Sequence, residues 1–186
     1  MTSSDSIKCF QVDECDHVVA SDCSKDSSHS ILTKEVNGLK HLTIYRGLAK
    51  IQLRPAHAYT SYVDEYILSI DGETVPLKKN QIIKIKSSAA PKEEITAYWS
   101  NDNTVQVSTS SCRVTHYGQT IVVEEKSFMM DGSHCGLCGD YNGDKRADIK
   151  SPKECVFSSN KLAAMSYRSK SKECKPLPSW ALEKIR

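Results

Sequence analysis

Cys135 and Cys138, separated by Gly136 and Leu137, are the pair of side chains in this sequence with the clearest chemical potential. Two cysteines at this spacing can form a redox dithiol that exchanges disulfides, or half of a zinc site to which His134 adds a ligand. Each can also be a half-cystine bonded to a distant partner. Thioredoxin-like dithiols lie in a βαβ setting and structural zinc needs a second close pair, and the sequence has neither. Two half-cystines are therefore the favoured interpretation.

Oxygen-bearing side chains alternate directly after these cysteines. Asp140, Asn142 and Asp144 occupy every second position around Gly143, and Asp148 follows in the same stretch. Alternating oxygen ligands in a loop bent by glycine are a common way to surround Ca²⁺. The two cationic residues inside the loop oppose tight binding. The pattern predicts a weak calcium site, and the alternative is a solvated loop closed by Asx turns.

The number of cysteines favours an oxidised protein. The eight lie mostly near the two ends of the chain: Cys9, Cys15, Cys23, Cys112, Cys135, Cys138, Cys155 and Cys174. An even number in this arrangement is typical of a disulfide framework in a secreted protein. The alternative is a set of buried thiols in a reducing compartment. Spacing alone leaves the connectivity open, because eight cysteines allow many complete pairings.

Charge and hydropathy exclude several classes of protein. The 186 residues include 25 Lys and Arg against 23 Asp and Glu, which gives no general attraction to nucleic acid. No apolar run approaches the ~18 residues that cross a bilayer. The first residues do not form a signal peptide, so we expect a trimmed precursor or a parent sequence that begins upstream. Catalytic signatures such as Gly-x-Ser-x-Gly are lacking, and the six His show no metal spacing and are predicted mostly at the surface.

The elements that would position these residues are short strands. Segments rich in β-branched and aromatic residues recur along the chain, each closed by a turn signal. They span Ser30–Glu35, Lys40–Arg46, Ala49–Leu53, Glu65–Ile70, Gln81–Lys86, Ile95–Ser100, Thr104–Ser108, Arg113–Tyr117 and Thr120–Glu124. Asn-Gly at 37–38 and Asp-Gly at 71–72 accept the positive φ of tight hairpin turns. The pattern predicts an all-β fold, an antiparallel β-sandwich of many short strands.

Helix signals occur only near the C-terminus. Lys161–Tyr167 contains good helix formers, and the prolines at 176 and 178 precede a tail, Ser179–Arg186, that could form a last helical turn. We predict a disordered N-terminus at residues 1–8. A single domain follows at 9–174, which includes a disulfide-rich, partly helical C-terminal extension, and a tail follows at 175–186.

Two segments carry a resemblance to a known family. Cys-Gly-Leu-Cys-Gly-Asp-Tyr-Asn-Gly at 135–143 resembles the Cys-Gly-Leu-Cys-Gly-Asn-Tyr-Asn-Gly hallmark of von Willebrand factor type D domains. Residues 15–23 resemble the family's Cys-x-Tyr-Val-Leu-x-x-Asp-Cys segment. Residues 145–152 with Cys155 are similar to the version in vitellogenins and invertebrate clotting proteins, which are large secreted proteins of the lipid-transfer type. The resemblance covers residues 9 to 174.

The resemblance implies a disulfide framework and a calcium shell. Three pairings carried over from the family join the two ends of the chain: Cys23–Cys135, Cys15–Cys174 and Cys9–Cys138. Cys112 and Cys155 are then left to pair with each other. Asp140, Asn142 and Asp148 would be the side-chain ligands of Ca²⁺, with a backbone carbonyl near Asp144. The Thr-Phe-Asp-Gly strand that opens the family has no counterpart in this sequence, so one sheet edge and one calcium ligand are expected to be lacking.

The function implied is a non-enzymatic, extracellular structural or interaction module of a secreted lipid-transport or yolk-storage protein. Its partners would be other domains of the parent protein or another protein surface, with no nucleic acid and no membrane span. Contact with lipid headgroups or glycans would use four lysines: Lys78, Lys79, Lys84 and Lys86. The alternatives are thiol–disulfide exchange by Cys135 and Cys138, a part of a secreted enzyme such as an ostracod-type luciferase, and a host-defence module that binds surfaces.

Overall fold

The computed structural model describes residues 15–22, 29–59, 62–117, 119–125, 134–136, 165–168, 174, 176–177, 179 and 181–182. The strands in these residues belong to two antiparallel sheets, of seven and five strands, which confirms the predicted all-β class. In chain order they are β1 (His17–Asp22), β2 (His29–Val36), β3 (Leu39–Arg46), β4 (Ala49–Tyr59), β5 (Tyr62–Ile70), β6 (Glu73–Val75), β7 (Ile82–Lys86), β8 (Glu94–Trp99), β9 (Val105–Ser108), β10 (Cys112–His116), β11 (Ile121–Glu125) and β12 (His134–Cys135).

The chain divides into two compact units, and the first consists of Met1–Glu35 with Met130–Arg186. Its strands follow the order β12-β1-β2. Strand β1 pairs with β2 from His17–Thr33 to Ser21–Ser30, with a bulge between Val18 and Ala20. Five of the six residues of β1 are buried, so the strand lies in the interior of this unit. Helical residues are few in the described part of the C-terminal segment: Met165, Ser166, Ser179, Ala181 and Leu182.

The second unit, Val36–Met129, is a β-sandwich. One layer has the strand order β3-β4-β5-β6 and the other β11-β10-β9-β8-β7. Alternating residues of both layers fill a core that includes Leu42, Ile44, Ile51, Leu53, Leu68, Ile95, Val105, Val107 and Val114. The layers meet at Tyr66 of β5, whose ring packs edge-on against Trp99 of β8 at 5.7 Å between centroids. The period-two alternation in the sequence is therefore the pattern of a two-layer core.

The predicted hairpin turns are confirmed. Asn37 and Gly38 have φ of 52° and 77°, and Asp71 and Gly72 have φ of 52° and 91°. Positive φ at both central positions is the geometry of the tight turn whose twist matches that of the flanking strands. The Asp71 carboxylate strengthens its turn by accepting hydrogen bonds from Lys50 N at 2.9 Å and Ser87 Oγ at 2.6 Å.

Strand β4 is longer than predicted. The predicted strand ends at Leu53, two residues before Pro55, which cannot donate to a ladder. The strand continues to Tyr59, and its register against β5 shifts on both sides of His57. Bulges of this kind accommodate proline within a sheet. Strands β1, β6 and β12 were not predicted: β1 is buried along most of its length and lacks alternation, and the other two have only three and two residues.

Candidate functional site

The candidate site is the stapled strand, which we define as Cys15–Asp22. Strand β2 pairs with one side of it, and on the other side Ser21 and Asp22 pair with Cys135 and His134 of β12. The backbone N–H of Val18 donates to the carbonyl of Tyr167 at 3.0 Å. The strand therefore forms backbone hydrogen bonds with β12 and with the C-terminal segment as well as with β2.

A disulfide fixes the start of this strand to the C-terminal segment. Cys15 is bonded to Cys174, with 5.6 Å between their Cα atoms and a sequence separation of 159 residues. This Cα distance is in the usual range for cystines. The predicted Cys15–Cys174 pairing is therefore confirmed. A loop of this length removes a large amount of conformational entropy from the unfolded chain.

The first half of the Cys-Gly-Leu-Cys motif has a structural role. Cys135 is disulfide-bonded, which agrees with its interpretation as a half-cystine. Gly136 has φ of 138°, and a Cβ added there would lie 2.3 Å from the Val19 carbonyl oxygen and 2.6 Å from its carbon. Only glycine permits this approach, since real Cβ atoms do not come within 3.0 Å of backbone. The glycine of the motif is thus required by the close approach of the stapled strand.

Two polar side chains contact Cys15, one at its carbonyl and one at its sulfur. Nδ1 of the buried His17 lies 2.8 Å from the Cys15 carbonyl, and because a carbonyl only accepts, this nitrogen carries the proton. The guanidinium of Arg168 donates from Nη2 to the Cys15 sulfur at 3.0 Å. A backbone bridge between His17 and Arg168 holds the two residues next to each other. The buried sulfur of Cys15 therefore lies beside a fixed positive charge.

The prediction that Cys112 belongs to a disulfide with Cys155 is wrong. Cys112 is a buried thiol at the start of β10, fully excluded from solvent, with its sulfur 3.4 Å from Thr109 Oγ1. In this position the side chain acts as a small core residue of the sandwich, which is how buried cysteines commonly behave. The pairing had been assigned only because the other cysteines had partners, and Cys155 lies outside the described residues.

The predicted calcium ligands Asp140, Asn142, Asp144 and Asp148 lie outside the described residues, as do Cys9, Cys23 and Cys138. The calcium site therefore stays a prediction. Elsewhere, the described ranges contain no group of three or more His, Cys, Asp or Glu placed to hold a metal ion. Cys135 is in register with Ser21, which stands two residues before Cys23 in the sequence. The predicted Cys23–Cys135 pairing stays a prediction.

The six histidines were predicted to lie mostly at the surface, but three of them are fully buried: His17, His29 and His116. His116 Nε2 lies 2.6 Å from the Lys40 carbonyl and therefore donates to it, and Nδ1 lies 3.2 Å from the Tyr66 hydroxyl. Burial lowers the pKa of His116 to about 4, so the ring is neutral at physiological pH. The alternation of side chains along the strand could have revealed the burial of His116, because it lies two residues after the core residue Val114.

The four lysines proposed for lipid or glycan contact lie at and before the edge strand β7. Lys84 and Lys86 are exposed on its outer face with Ile82, which is 68% exposed. Lys84 forms an exposed ion pair with Glu94 at 3.0 Å. Lys79 Nζ lies 5.2 Å from the centroid of the Trp99 ring, a cation–π contact. Two of the four charges are thus engaged with neighbouring side chains of the same sheet.

The fold and the stapled strand define a class: an all-β module in which a disulfide ties an N-terminal strand to the C-terminal segment. The family profile of the von Willebrand factor type D domain matches residues 9–154. The chain therefore belongs to the von Willebrand factor type D domain family. Such domains occur in extracellular proteins and usually act within larger proteins. No curated protein matches the chain. None of the helices in the described ranges has the length and hydropathy of a membrane span.

Proposed function

We propose that this chain is a non-enzymatic structural and interaction module of a secreted lipid-transport or yolk-storage protein of the vitellogenin type. The observation that carries the proposal is the family match over residues 9–154. The similarity of residues 145–152 to the vitellogenin version of the domain supports the narrower assignment. The cystine that ties Cys15 to Cys174 suits an oxidising, extracellular compartment.

The roles of the potentially reactive groups support a structural function. Cys15 and Cys135 are in disulfides, and the thiol of Cys112 is buried in the sandwich core. The buried rings of His17 and His116 are bound to backbone carbonyls. Each of these groups has a stabilising partner or position, and such groups are poorly placed to act on a substrate.

Exposed apolar side chains in the second unit support contact with another protein surface. Leu48, in the turn between β3 and β4, is 84% exposed, and Ile82 and Val122 lie at the opposite edges of the five-stranded layer. Single exposed apolar residues are common on any protein. Together with the family's usual place within larger proteins, they favour contact with neighbouring domains of a parent protein.

A calcium ion is part of the proposal, bound by Asp140, Asn142 and Asp148 with a backbone carbonyl near Asp144. The two cations within the loop favour weak binding, with a Kd of ~10⁻⁴–10⁻³ M. At a hundredfold excess over Kd, calcium would add about 2.7 kcal/mol to the free energy of unfolding. Melting curves in EDTA and in millimolar Ca²⁺ test this: we expect a shift that Asp148→Ala abolishes. Superimposable curves for the unmodified chain would refute the calcium site.

The experiment that tests the proposed function begins with the parent protein. An antibody against this chain is used to purify the parent from extracellular fluid, and co-purifying lipids are measured by mass spectrometry. We expect phospholipid and neutral lipid in amounts stoichiometric with the protein or greater. An antibody blocked with the purified chain is the control. A parent protein that is secreted but carries no lipid would contradict the lipid-transport assignment.

A further inference from the structure

The two sulfurs of the Cys15–Cys174 disulfide differ in their surroundings. Cys15 is 8% exposed, whereas Cys174 is half-buried. Thiol–disulfide exchange requires a thiolate to reach one sulfur while the other leaves, so the more accessible sulfur is the one attacked. On exposure alone, an incoming thiolate reaches Cys174.

The leaving sulfur is the one beside the positive charge. Arg168 Nη2 donates to the Cys15 sulfur at 3.0 Å, and a guanidinium at this distance stabilises a thiolate. Because a stabilised thiolate is the better leaving group, exchange with Cys15 as the leaving group is favoured. The accessibility of Cys174 and the positive charge beside Cys15 therefore both favour attack on Cys174, with Cys15 as the leaving group.

The backbone of Arg168 is held beside the stapled strand independently of the disulfide. The backbone N–H of Arg168 donates to Met165 at 3.4 Å, its neighbour Tyr167 accepts from Val18 at 3.0 Å, and Arg168 itself bridges to His17. These contacts belong to the backbone, so they do not require the Cys15–Cys174 bond. They keep the Arg168 backbone beside the stapled strand when the disulfide opens.

We propose that Cys15–Cys174 is a directional exchange site, at which low-molecular-weight thiols of the glutathione class modify Cys174. The thiolate attacks the Cys174 sulfur and forms a new S–S bond to it. The Cys15–Cys174 bond breaks, and its electron pair remains on the Cys15 sulfur as a thiolate paired with the Arg168 guanidinium. The reaction exchanges one disulfide for another and requires no oxidant. In the reverse step the Cys15 thiolate displaces the small thiol and restores the staple.

This site is distinct from the Cys135 and Cys138 pair considered as a dithiol above. Opening it releases the covalent link between the stapled strand and the C-terminal segment, while the pairing of β1 with β2 and β12 persists. The consequence is a local change in the first unit that depends on the extracellular ratio of thiol to disulfide.

The first test maps the adduct on the unmodified native chain. The chain is incubated with reduced glutathione, quenched in acid, alkylated with iodoacetamide, and digested for peptide mass spectrometry. We expect glutathione on the Cys174 peptide and the alkyl group on the Cys15 peptide. Glutathione found on Cys15, with the alkyl group on Cys174, would overturn the proposal, and so would resistance of this disulfide to exchange under native conditions.

The second test measures the role of the guanidinium. Arg168→Gln should slow the exchange at Cys174 roughly fivefold, and Arg168→Lys should restore most of the rate, because the leaving-group pKa sets the rate. Arg113→Gln, on the outer face of the sandwich, is the matched control and should leave the rate unchanged. The pH dependence of Cys15 alkylation after reduction should shift to higher pH in Arg168→Gln. An Arg168→Gln rate equal to or above that of the unmodified chain would overturn the proposal.

Discussion

The two units of this molecule are stabilised by different means. In the first, the described strand β1 is held by a disulfide, by short pairing with β12 and by a backbone contact with Tyr167. In the second, two layers bury an apolar core. Hydrogen bonds between polar side chains and backbone add to this: Arg46 Nε and Ser110 N both donate to the Glu93 carboxylate, at 3.1 and 2.7 Å. The first unit therefore depends on oxidation, and the second on burial and on the ionisation of a few groups.

The largest destabilisation that distinguishes the first unit from the second is expected at Gly136. In Gly136→Ala the new Cβ would collide with the Val19 backbone and separate β12 from the stapled strand, at a cost of about 5 kcal/mol in the free energy of unfolding. Gly38→Ala is the matched control, because Gly38 also has positive φ but no atom within 4 Å of the added Cβ. It should cost only about 1 kcal/mol. Urea unfolding measures both, and equal costs would show that the close approach is unimportant.

The next effect concerns the cysteines of the two units. Cys15→Ser removes the staple and should lower the free energy of unfolding by about 4 kcal/mol. Cys112→Ala removes a buried thiol from the sandwich core and should cost about 1 kcal/mol. Thermal unfolding under oxidising conditions compares them. After full reduction the difference should disappear for Cys15→Ser, since the staple is then absent from both proteins, whereas a persistent difference would contradict this explanation.

A third effect is the acid sensitivity of the second unit. Burial lowers the pKa of His116 from 6.5 to about 4, so the unfolded chain binds this proton more tightly than the folded chain. The stabilisation is complete above pH 6.5 and declines as the pH falls towards 4, by up to about 3 kcal/mol. His116→Gln should flatten this dependence. Urea midpoints measured between pH 7 and pH 4 test this prediction. If the midpoint of His116→Gln falls with pH as steeply as that of the unmodified chain, the assignment of the effect to His116 is refuted.

The smallest effect is expected at Asp71. The hydrogen bond from Ser87, followed by that from Lys50, lowers the pKa of this carboxyl below its ordinary value of 3.8. Its contribution is present above that value and is lost as the pH falls through the folded-state pKa. Because the group is largely solvated, Asp71→Asn should cost less than about 1 kcal/mol, and asparagine keeps the positive φ of the turn. Unfolding at pH 7 measures the loss, and a cost of several kcal/mol would mean that the carboxylate is far less screened than its exposure implies.

The two units also differ in how well the sequence predicted them. Strands of the sandwich such as β8 and β9 alternate with period two, and Asp71-Gly72 follows β5, so their positions were predictable from local signals. Strand β1 lacks that signal, because it is buried along most of its length and includes His17, Ser21 and Asp22. Its polar residues are accommodated by hydrogen bonds, such as that from Ser21 Oγ to the His29 carbonyl at 3.1 Å. Tertiary contacts of this kind produce no periodic pattern in the sequence.

The candidate site was predicted in part for a similar reason. The Cys15–Cys174 pairing came from the family resemblance, since spacing among eight cysteines leaves connectivity open. The assignment of Cys112 to a disulfide failed because it assumed that an even number of cysteines means complete pairing. The contact of Arg168 with the Cys15 sulfur joins residues 153 positions apart, and no local pattern connects them.

Cys15 and Cys135 are half-cystines of structural disulfides, and we expect no exchanging dithiol at Cys135 and Cys138. Peptide mapping of the native protein under non-reducing conditions tests this claim most directly, with alkylation before and after denaturation. We expect a Cys15–Cys174 peptide, Cys135 bonded to a distant cysteine, and Cys112 alkylated only after denaturation. A peptide in which Cys135 is bonded to Cys138, or native alkylation of both, would contradict the claim.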